Sequence, residues 1–319
     1  MKNWRYPRVN STCTMNGLDK LVGLQKEKQK ARIAIASCLQ RGVVFPHTLL
    51  YGIGGTGKTV LAHAIAEELQ YHVIETEAAA FKTRNHILSR LKAGVEEAQR
   101  KGTRLLLFVD EIHRLSIDRQ EAFYIPMKEW RAATAEGQIT LAPFCLVGAT
   151  TRRDMLDEAS FVSRFPNQWQ IQRYTIPDIM IILSELFEGF GMGCESNVLR
   201  SIAKRCLGIP RHANNLAGKV RDVVLFNGGQ RVRSEDVQMA CSMEGIDKIG
   251  LNQCHLAYLN ILHKAGGPRG LTGLAAKLMQ PVDVISGTIE PILLSLDFID
   301  LAARGRVLTA SGAEHVRAA

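Results

Sequence analysis

The sequence predicts an α/β fold, a parallel sheet covered by helices on both faces, followed by an all-helical segment and a C-terminal winged helix. Three observations carry this expectation. From residue 24 to about 174 helical and strand-like apolar patterns alternate, as they do where crossover helices join parallel strands. From Ile176 to about Gly245 the strand patterns stop and only helical periodicity continues. Near Gly250 the pattern changes again, to three helical segments followed by a short basic β-like stretch, the order expected of a winged helix. The boundaries so read are 1–174, 175–247 and 248–319.

Taken in order, a helix is expected over 24–40, where Ile33, Ile35 and Leu39 look buried and Lys26, Lys28, Lys30 and Arg32 look solvated. A short buried strand at 47–51 leads into a glycine-rich turn and a helix over 58–70. Then follow strand 72–75, helix 84–100, strand 105–109, helix 117–131, strand 144–149 and a short strand near 168–171. The helical segment reads as 176–188, 196–206, 211–226 and 234–242. The last part reads as helices 252–264, 271–279 and 283–296, with β-like Arg304-Gly305-Arg306-Val307-Leu308-Thr309 after them.

Composition excludes several classes. Apolar residues make up 46% and charged residues 22% of the 319, which suits a globular chain, and no apolar run is long enough to span a bilayer. The N-terminal MKNWRYPRVN is basic but lacks the apolar core of a secretory signal, so a cytoplasmic chain is expected. Seven cysteines, widely spaced and without a CxxC pair, read as reduced packing residues. The net charge of +9 favours a polyanionic partner. Nine of the basic residues fall within 1–49, against two acidic ones, although part of that excess suits the solvated face of a helix.

The chemistry is concentrated in the first domain. Gly52-Ile53-Gly54-Gly55-Thr56-Gly57-Lys58-Thr59 meets every position of G-x-x-x-x-G-K-[ST], between a strand and a helix. Its glycines let backbone N–H groups curl around phosphates, Lys58 can reach the β- and γ-phosphates of a nucleoside triphosphate, and the Thr59 hydroxyl can ligand Mg²⁺. Leu105 to Val109 is an apolar strand that ends in Asp110-Glu111. There Asp110 would hold Mg²⁺ through water and Glu111 would polarise the attacking water, where a plain helix-capping pair is the alternative. A third strand ends in Thr150-Thr151, either of which could sense the γ-phosphate or simply cap the next turn. Gly208-Ile209-Pro210-Arg211 opens a helix at the end where the dipole disfavours a cation, so Arg211 makes sense beside an anion.

These pieces in this order resemble the AAA+ P-loop ATPases, and more closely the RuvB family of Holliday-junction branch-migration motors, over about residues 15–319. The specific matches are Asp110-Glu111-Ile112-His113-Arg114-Leu115, Gly148-Ala149-Thr150-Thr151-Arg152, Ser163-Arg164-Phe165, Gly208-Ile209-Pro210-Arg211, and Arg304-Gly305-Arg306-Val307 followed by Glu314-His315-Val316. The resemblance implies Thr151 as first sensor, Arg164 as an arginine finger in a neighbouring subunit's site, and Arg211 as second sensor. It also implies an adenine pocket lined by Leu21, Val22, Gly23, Tyr174 and Pro210, and a ring, a hexamer, on DNA. Arg304 and Arg306 would meet backbone phosphates, with Thr309 and Ser311 adding neutral contacts.

The family's long β-hairpin, which docks the junction-binding partner RuvA, is replaced here by a shorter and less apolar connection over 132–142. That weighs against docking such a partner. The segment 92–104 is longer than in the family, and the loop after Val73 lacks its Gly-Pro pair, so the chain reads as a divergent member. An ATP-driven DNA motor is the leading expectation. A loader or remodelling ATPase that binds DNA without translocating is the alternative, and a nucleotide-controlled DNA-binding regulator comes third.

Overall fold

A computed structural model describes residues 17–134 and 137–318. Residues 1–16, with Lys2, Arg5, Arg8 and Cys13, lie outside the described part. The chain divides into two compact units, one formed by 17–52 and 56–172, the other by 53–55 and 173–318.

In the first unit α1 (Gln25–Arg41) precedes β1 (Thr48–Tyr51), α2 (Lys58–Leu69), β2 (His72–Glu77), α3 (Arg84–Arg100) and β3 (Leu105–Asp110). Two short helices, α4 (Ile117–Glu121) and α5 (Tyr124–Glu129), lead to a hairpin of β4 (Arg131–Thr134) and β5 (Gly137–Thr140), then to β6 (Cys145–Thr150) and β7 (Asn167–Gln170). Five of these strands form one parallel sheet in the order β2-β3-β6-β1-β7. Both faces are packed. One carries α1 and α2 around Leu50, Leu61, Ile65 and Phe108, the other α3 and the aromatic group Phe81, Phe123, Phe144 and Phe161. Because crossovers cover both faces, β3 and β6 are nearly continuous apolar runs.

Up to and including the helical segment, the structure departs from the expected elements in four places. The single helix expected over 117–131 is two, because Pro126 has no N–H for a continuous ladder and suits the first turn of a new helix. In α1 the buried stripe is Glu27, Lys28, Ala31, Ile35 and Cys38, so Ile33 and Leu39 fall off it and are exposed. The shortened connection at 132–142 does form a hairpin, with four residues in each strand. Finally, the helical segment contains one parallel two-residue pairing, Gly193–Cys194 with Arg231–Val232.

That pairing gives β8 and β9 of the second unit. They lie among α6 (Ile176–Gly189), α7 (Ser196–Lys204), α8 (Pro210–Phe226) and α9 (Ser234–Glu244), whose core includes Ile179, Leu183, Phe187, Ile202, Leu216 and Val220. Thr175 and Asp178 cap α6 reciprocally, which explains why the helix begins there.

The terminal part runs through α10 (Gln253–Ala265), α11 (Leu271–Leu278), α12 (Val282–Val284), a wide π turn at Ile285–Ile289 and α13 (Glu290–Ser295). Pro291, which cannot donate to an ordinary i→i−4 bond, accounts for the wide turn. A hairpin of β10 (Ile299–Ala302) and β11 (Gly305–Leu308) and the helix α14 (Ala310–Ala318) complete it. Arg269 and Arg306 exchange backbone hydrogen bonds at 2.9 and 2.8 Å, adding a third short edge to the hairpin. Gly305 makes that approach possible, since its φ is +129° and a Cβ there would lie 2.2 Å from Arg269 O.

One carboxylate fastens this part at both ends. Asp247 Oδ1 accepts the N–H groups of Ile249, Gly250 and Leu251 at 2.9, 2.8 and 2.8 Å, and its Oδ2 meets His315 Nε2 at 2.8 Å. His315 also stacks on Phe298. The six cysteines among the described residues are unpaired, and among those residues no helix is long and apolar enough to cross a membrane.

Candidate ATPase site and DNA-contacting wing

β1 delivers the chain to Gly52, whose N–H donates to Thr150 O at 3.2 Å. Only glycine fits there, because φ is +145° and a Cβ would sit 2.5 Å from Ile171 O. At the far end of the loop Gly57 precedes α2, so the helix's unpaired N–H groups open toward the loop, as anion binding requires. Thr56 and Lys58 are buried, and Lys58 Nζ donates to Gly52 O at 2.9 Å, which ties the two ends of the loop together. Thr59 lies half-buried in the first turn of α2.

The parallel register brings the ends of β1, β3 and β6 to one edge of the sheet. Asp110 is half-buried at the end of β3, and burial holds its carboxyl above the usual range. Its Oδ1 accepts the Glu111 N–H at 2.8 Å. Glu111 adopts a left-handed backbone, φ +48°, and its Oε2 receives the Thr151 hydroxyl at 3.2 Å and lies 3.1 Å from His113 Nδ1. The His113 contact, helped by Thr151 and Lys58, holds Glu111 below the usual carboxylate range, so it stays ionised. The field of Lys58 favours the ionised form of Asp110 as well.

The two threonines left open by the sequence differ in their contacts. Thr151 touches Glu111, whereas Thr150 is fully buried, accepts the Arg152 N–H at 2.9 Å and meets His113 Nδ1 at 3.0 Å. His113 entered the sequence reading only as part of a motif, and its contacts with Glu111 and Thr150 were missed. Oxygen donors from Thr59 and a half-buried Asp110 suit a hard cation such as Mg²⁺.

Arg164 sits at the end of a 3₁₀ turn, Val162–Arg164, with its guanidinium carbon 4.4 Å from the Tyr124 ring centre. Leu21 packs with the α1–α2 face, and its carbonyl accepts the buried Lys28 ammonium at 2.7 Å, while Val22 is half-buried. Gly54 and Gly55 belong to the second unit. There the Arg211 N–H donates to Gly55 O at 3.3 Å, Pro210 opens α8, and the Tyr174 N–H donates to Gly208 O at 2.8 Å.

In the terminal part Arg304 is exposed in the two-residue turn between β10 and β11. Arg306 is committed elsewhere. Its Nε and Nη2 donate to Glu290 Oε1 and Oε2 at 2.7 and 3.1 Å, and Glu290, itself buried, also accepts the Tyr258 hydroxyl at 2.8 Å. Arg306, expected to meet backbone phosphates, has its guanidinium paired with a buried carboxylate. Thr309 is likewise occupied, donating to Asp297 O at 2.6 Å and accepting the Gly312 N–H at 3.0 Å, while Ser311 is exposed.

Comparison with known proteins agrees with this geometry. Residues 15–171 match the family described as Holliday junction DNA helicase RuvB P-loop domain, and residues 248–317 match the RuvB C-terminal winged helix domain. The Holliday junction branch migration complex subunit RuvB of Koribacter versatilis is 35% identical over 302 residues, covering 92% of this chain and 82% of its own. Its counterpart from Kosmotoga olearia is 32% identical over 319 residues, covering 97% and 91%. The solved structure of the Thermotoga maritima RuvB Holliday junction branch migration motor superposes with a TM-score of 0.85 at 31% identity, covering 95% of this chain and 97% of that one. With both domain families matched and relatives above 30% identity aligned along almost its whole length, the chain belongs to the RuvB family.

Proposed function

We propose that the chain is an ATP-driven DNA motor that moves branch points in four-way or related branched DNA, working as a ring, a hexamer, in the cytoplasm. The observation that carries this reading is the sheet edge where Lys58, Asp110, Glu111 and Thr151 converge. An ionised Glu111 beside a phosphate loop is placed to orient and deprotonate water, while Lys58 and the α2 N-terminus hold the phosphates. Mg²⁺, held by Thr59 and by Asp110 through water, would neutralise charge on the β- and γ-phosphate oxygens. Thr151 would hold Glu111 and sense the γ-phosphate, Arg211 would act as a second sensor, and Leu21, Val22, Tyr174 and Pro210 would receive the adenine. Arg164 would act in a neighbouring subunit's site. The division at 1–174, 175–247 and 248–319 then separates ATPase core, helical lid and DNA-contacting winged helix.

Arg304 at the wing tip would meet backbone phosphates, giving affinity without base information. The short β4–β5 hairpin supports a second reading, a loader or remodelling ATPase that binds DNA passively, because it leaves less surface for a RuvA-type partner. ATPase rates with four-way and with linear duplex DNA, each with and without a RuvA-type protein, decide between them. Stimulation restricted to branched DNA, with strand exchange driven by hydrolysis, supports the motor. Equal stimulation by both DNAs and no branch movement supports the loader.

A further inference from the structure

We propose that His113 is a positioning residue that holds the Glu111 carboxylate in its working orientation and ties it to the strand carrying Thr150 and Thr151. This rests on the reading of Glu111 as the group that activates water.

The geometry is one-sided. Two side-chain contacts meet at Glu111 Oε2, from Thr151 Oγ1 at 3.2 Å and from His113 Nδ1 at 3.1 Å. Facing a carboxylate at that distance, Nδ1 carries the proton and donates, an assignment made from the hydrogen-bond pattern. Thr150 Oγ1, 3.0 Å from the same nitrogen, is the second acceptor it reaches. The His113 side chain is only 10% exposed, so water competes poorly for this bond. With Oε2 anchored from two elements, Oε1 is the oxygen presented for a proton.

The backbone points the same way. Glu111 has φ +48°, a strained conformation for a residue with a side chain, which persists where surrounding contacts over-determine it. His113 and Thr151 are those contacts. The network continues through Thr150, whose carbonyl accepts the Gly52 N–H at 3.2 Å. Gly52 opens the phosphate loop, so the loop, the sensor strand and the water-activating carboxylate share one hydrogen-bonded path through His113.

A histidine that merely braces the 3₁₀ turn Ile112–Arg114 would act on stability and leave the chemistry alone. Three variants in the full-length protein separate the two roles. His113→Ala removes the donor, His113→Leu removes it while keeping bulk, and His113→Asn places an amide N–H near the Nδ1 position. The readouts are kcat for ATP hydrolysis, nucleotide affinity from a fluorescent ATP analogue, and melting temperature. The expected result is a fall in kcat of about 10- to 100-fold for the Ala and Leu variants at unchanged nucleotide affinity, the scale of a misplaced catalytic group. His113→Asn recovers most of the rate. The double variant His113→Ala/Glu111→Gln is no slower than Glu111→Gln alone, because the two residues act as one unit.

A His113→Ala rate within about twofold of wild type, or an Asn variant no faster than Leu, overturns the proposal. A Glu111→Gln control separates the two levels. If that variant retains full turnover, the assignment of Glu111 falls and this inference falls with it. If it is inactive while His113→Ala is normal, only the inference fails.

Discussion

Arg164 rests on Tyr124: its guanidinium carbon lies 4.4 Å from the ring centre and its Nη1 donates to Tyr124 O at 3.3 Å. Tyr124 is itself stacked on Phe161 and its hydroxyl reaches Asp157 at 3.4 Å, so the arginine stands on a braced platform. If Arg164 works in a neighbour's site, Arg164→Ala should bind ATP normally and lose turnover by about a thousandfold or more. Mixing it with Lys58→Ala chains should restore some activity, since a mixed interface pairs a sound site with a sound arginine. Rings that form but stay inactive at every mixing ratio would remove the trans role.

The same platform makes a finer distinction. Tyr124→Phe keeps the ring under Arg164 and should retain turnover, whereas Tyr124→Leu should lower it without changing nucleotide affinity. Cation–π contacts of this kind contribute about 0.5–2 kcal/mol, so the expected fall is modest, roughly 2- to 30-fold. Equal rates in the two variants would show that the ring does not matter.

Lys58 and Glu111 should fail differently. Lys58→Ala is expected to abolish ATP binding, because it removes both the phosphate contact and the tie to Gly52 O. Glu111→Gln should bind ATP and hold it unhydrolysed. Equilibrium binding followed by single-turnover hydrolysis checks this, and equal losses of affinity in both would refute the division of labour.

The two wing arginines should separate just as cleanly. Arg304→Ala is expected to keep its DNA-independent ATPase, weaken duplex binding, and make the slope of log affinity against log salt shallower by about 0.9 for each phosphate it no longer neutralises. Arg306→Ala instead leaves Glu290 buried without its cation, at a cost of about 3 kcal/mol, read from denaturant unfolding. Should Arg304→Ala bind DNA with an unchanged salt slope, the basic N-terminal residues become the place to look.

His47 gives a prediction in pH. It is buried with Nδ1 accepting the Leu146 N–H at 2.9 Å and Nε2 facing Met127 O at 3.1 Å, and burial pushes its pKa from 6.5 down to about 4. Between pH 6.5 and 4 the unfolded chain binds a proton there that the folded chain refuses, so stability must fall as pH drops through that window. The full effect is about 3 kcal/mol. Its ring resonances in NMR should stay those of a neutral imidazole down to about pH 5, and a midpoint near 6.5 would contradict the buried environment.

What could be read from the sequence was local. The phosphate loop, the carboxylates ending β3 and the strand–helix alternation are patterns within a few residues, set by backbone geometry and burial. The missed features are pairings between distant positions. Arg306 meets Glu290 across 16 residues, Arg164 meets Tyr124 across 40, and His47 bridges segments 80 and 99 residues away. No local periodicity reports such partners, so Arg304 and Arg306 looked equivalent until the fold brought one of them to a carboxylate. The break at Pro126, by contrast, was written in the sequence and follows from the missing N–H.

The divided Asp247 carboxylate has a mechanical consequence. One oxygen grips the backbone that leads out of the helical segment, and the other grips the last helix of the chain through His315. A domain moored at both its first and last residues behaves as an outrigger and not as a bead on a string. A swing of the domain about this joint would therefore have to break the Asp247 bonds to the linker amides or to His315.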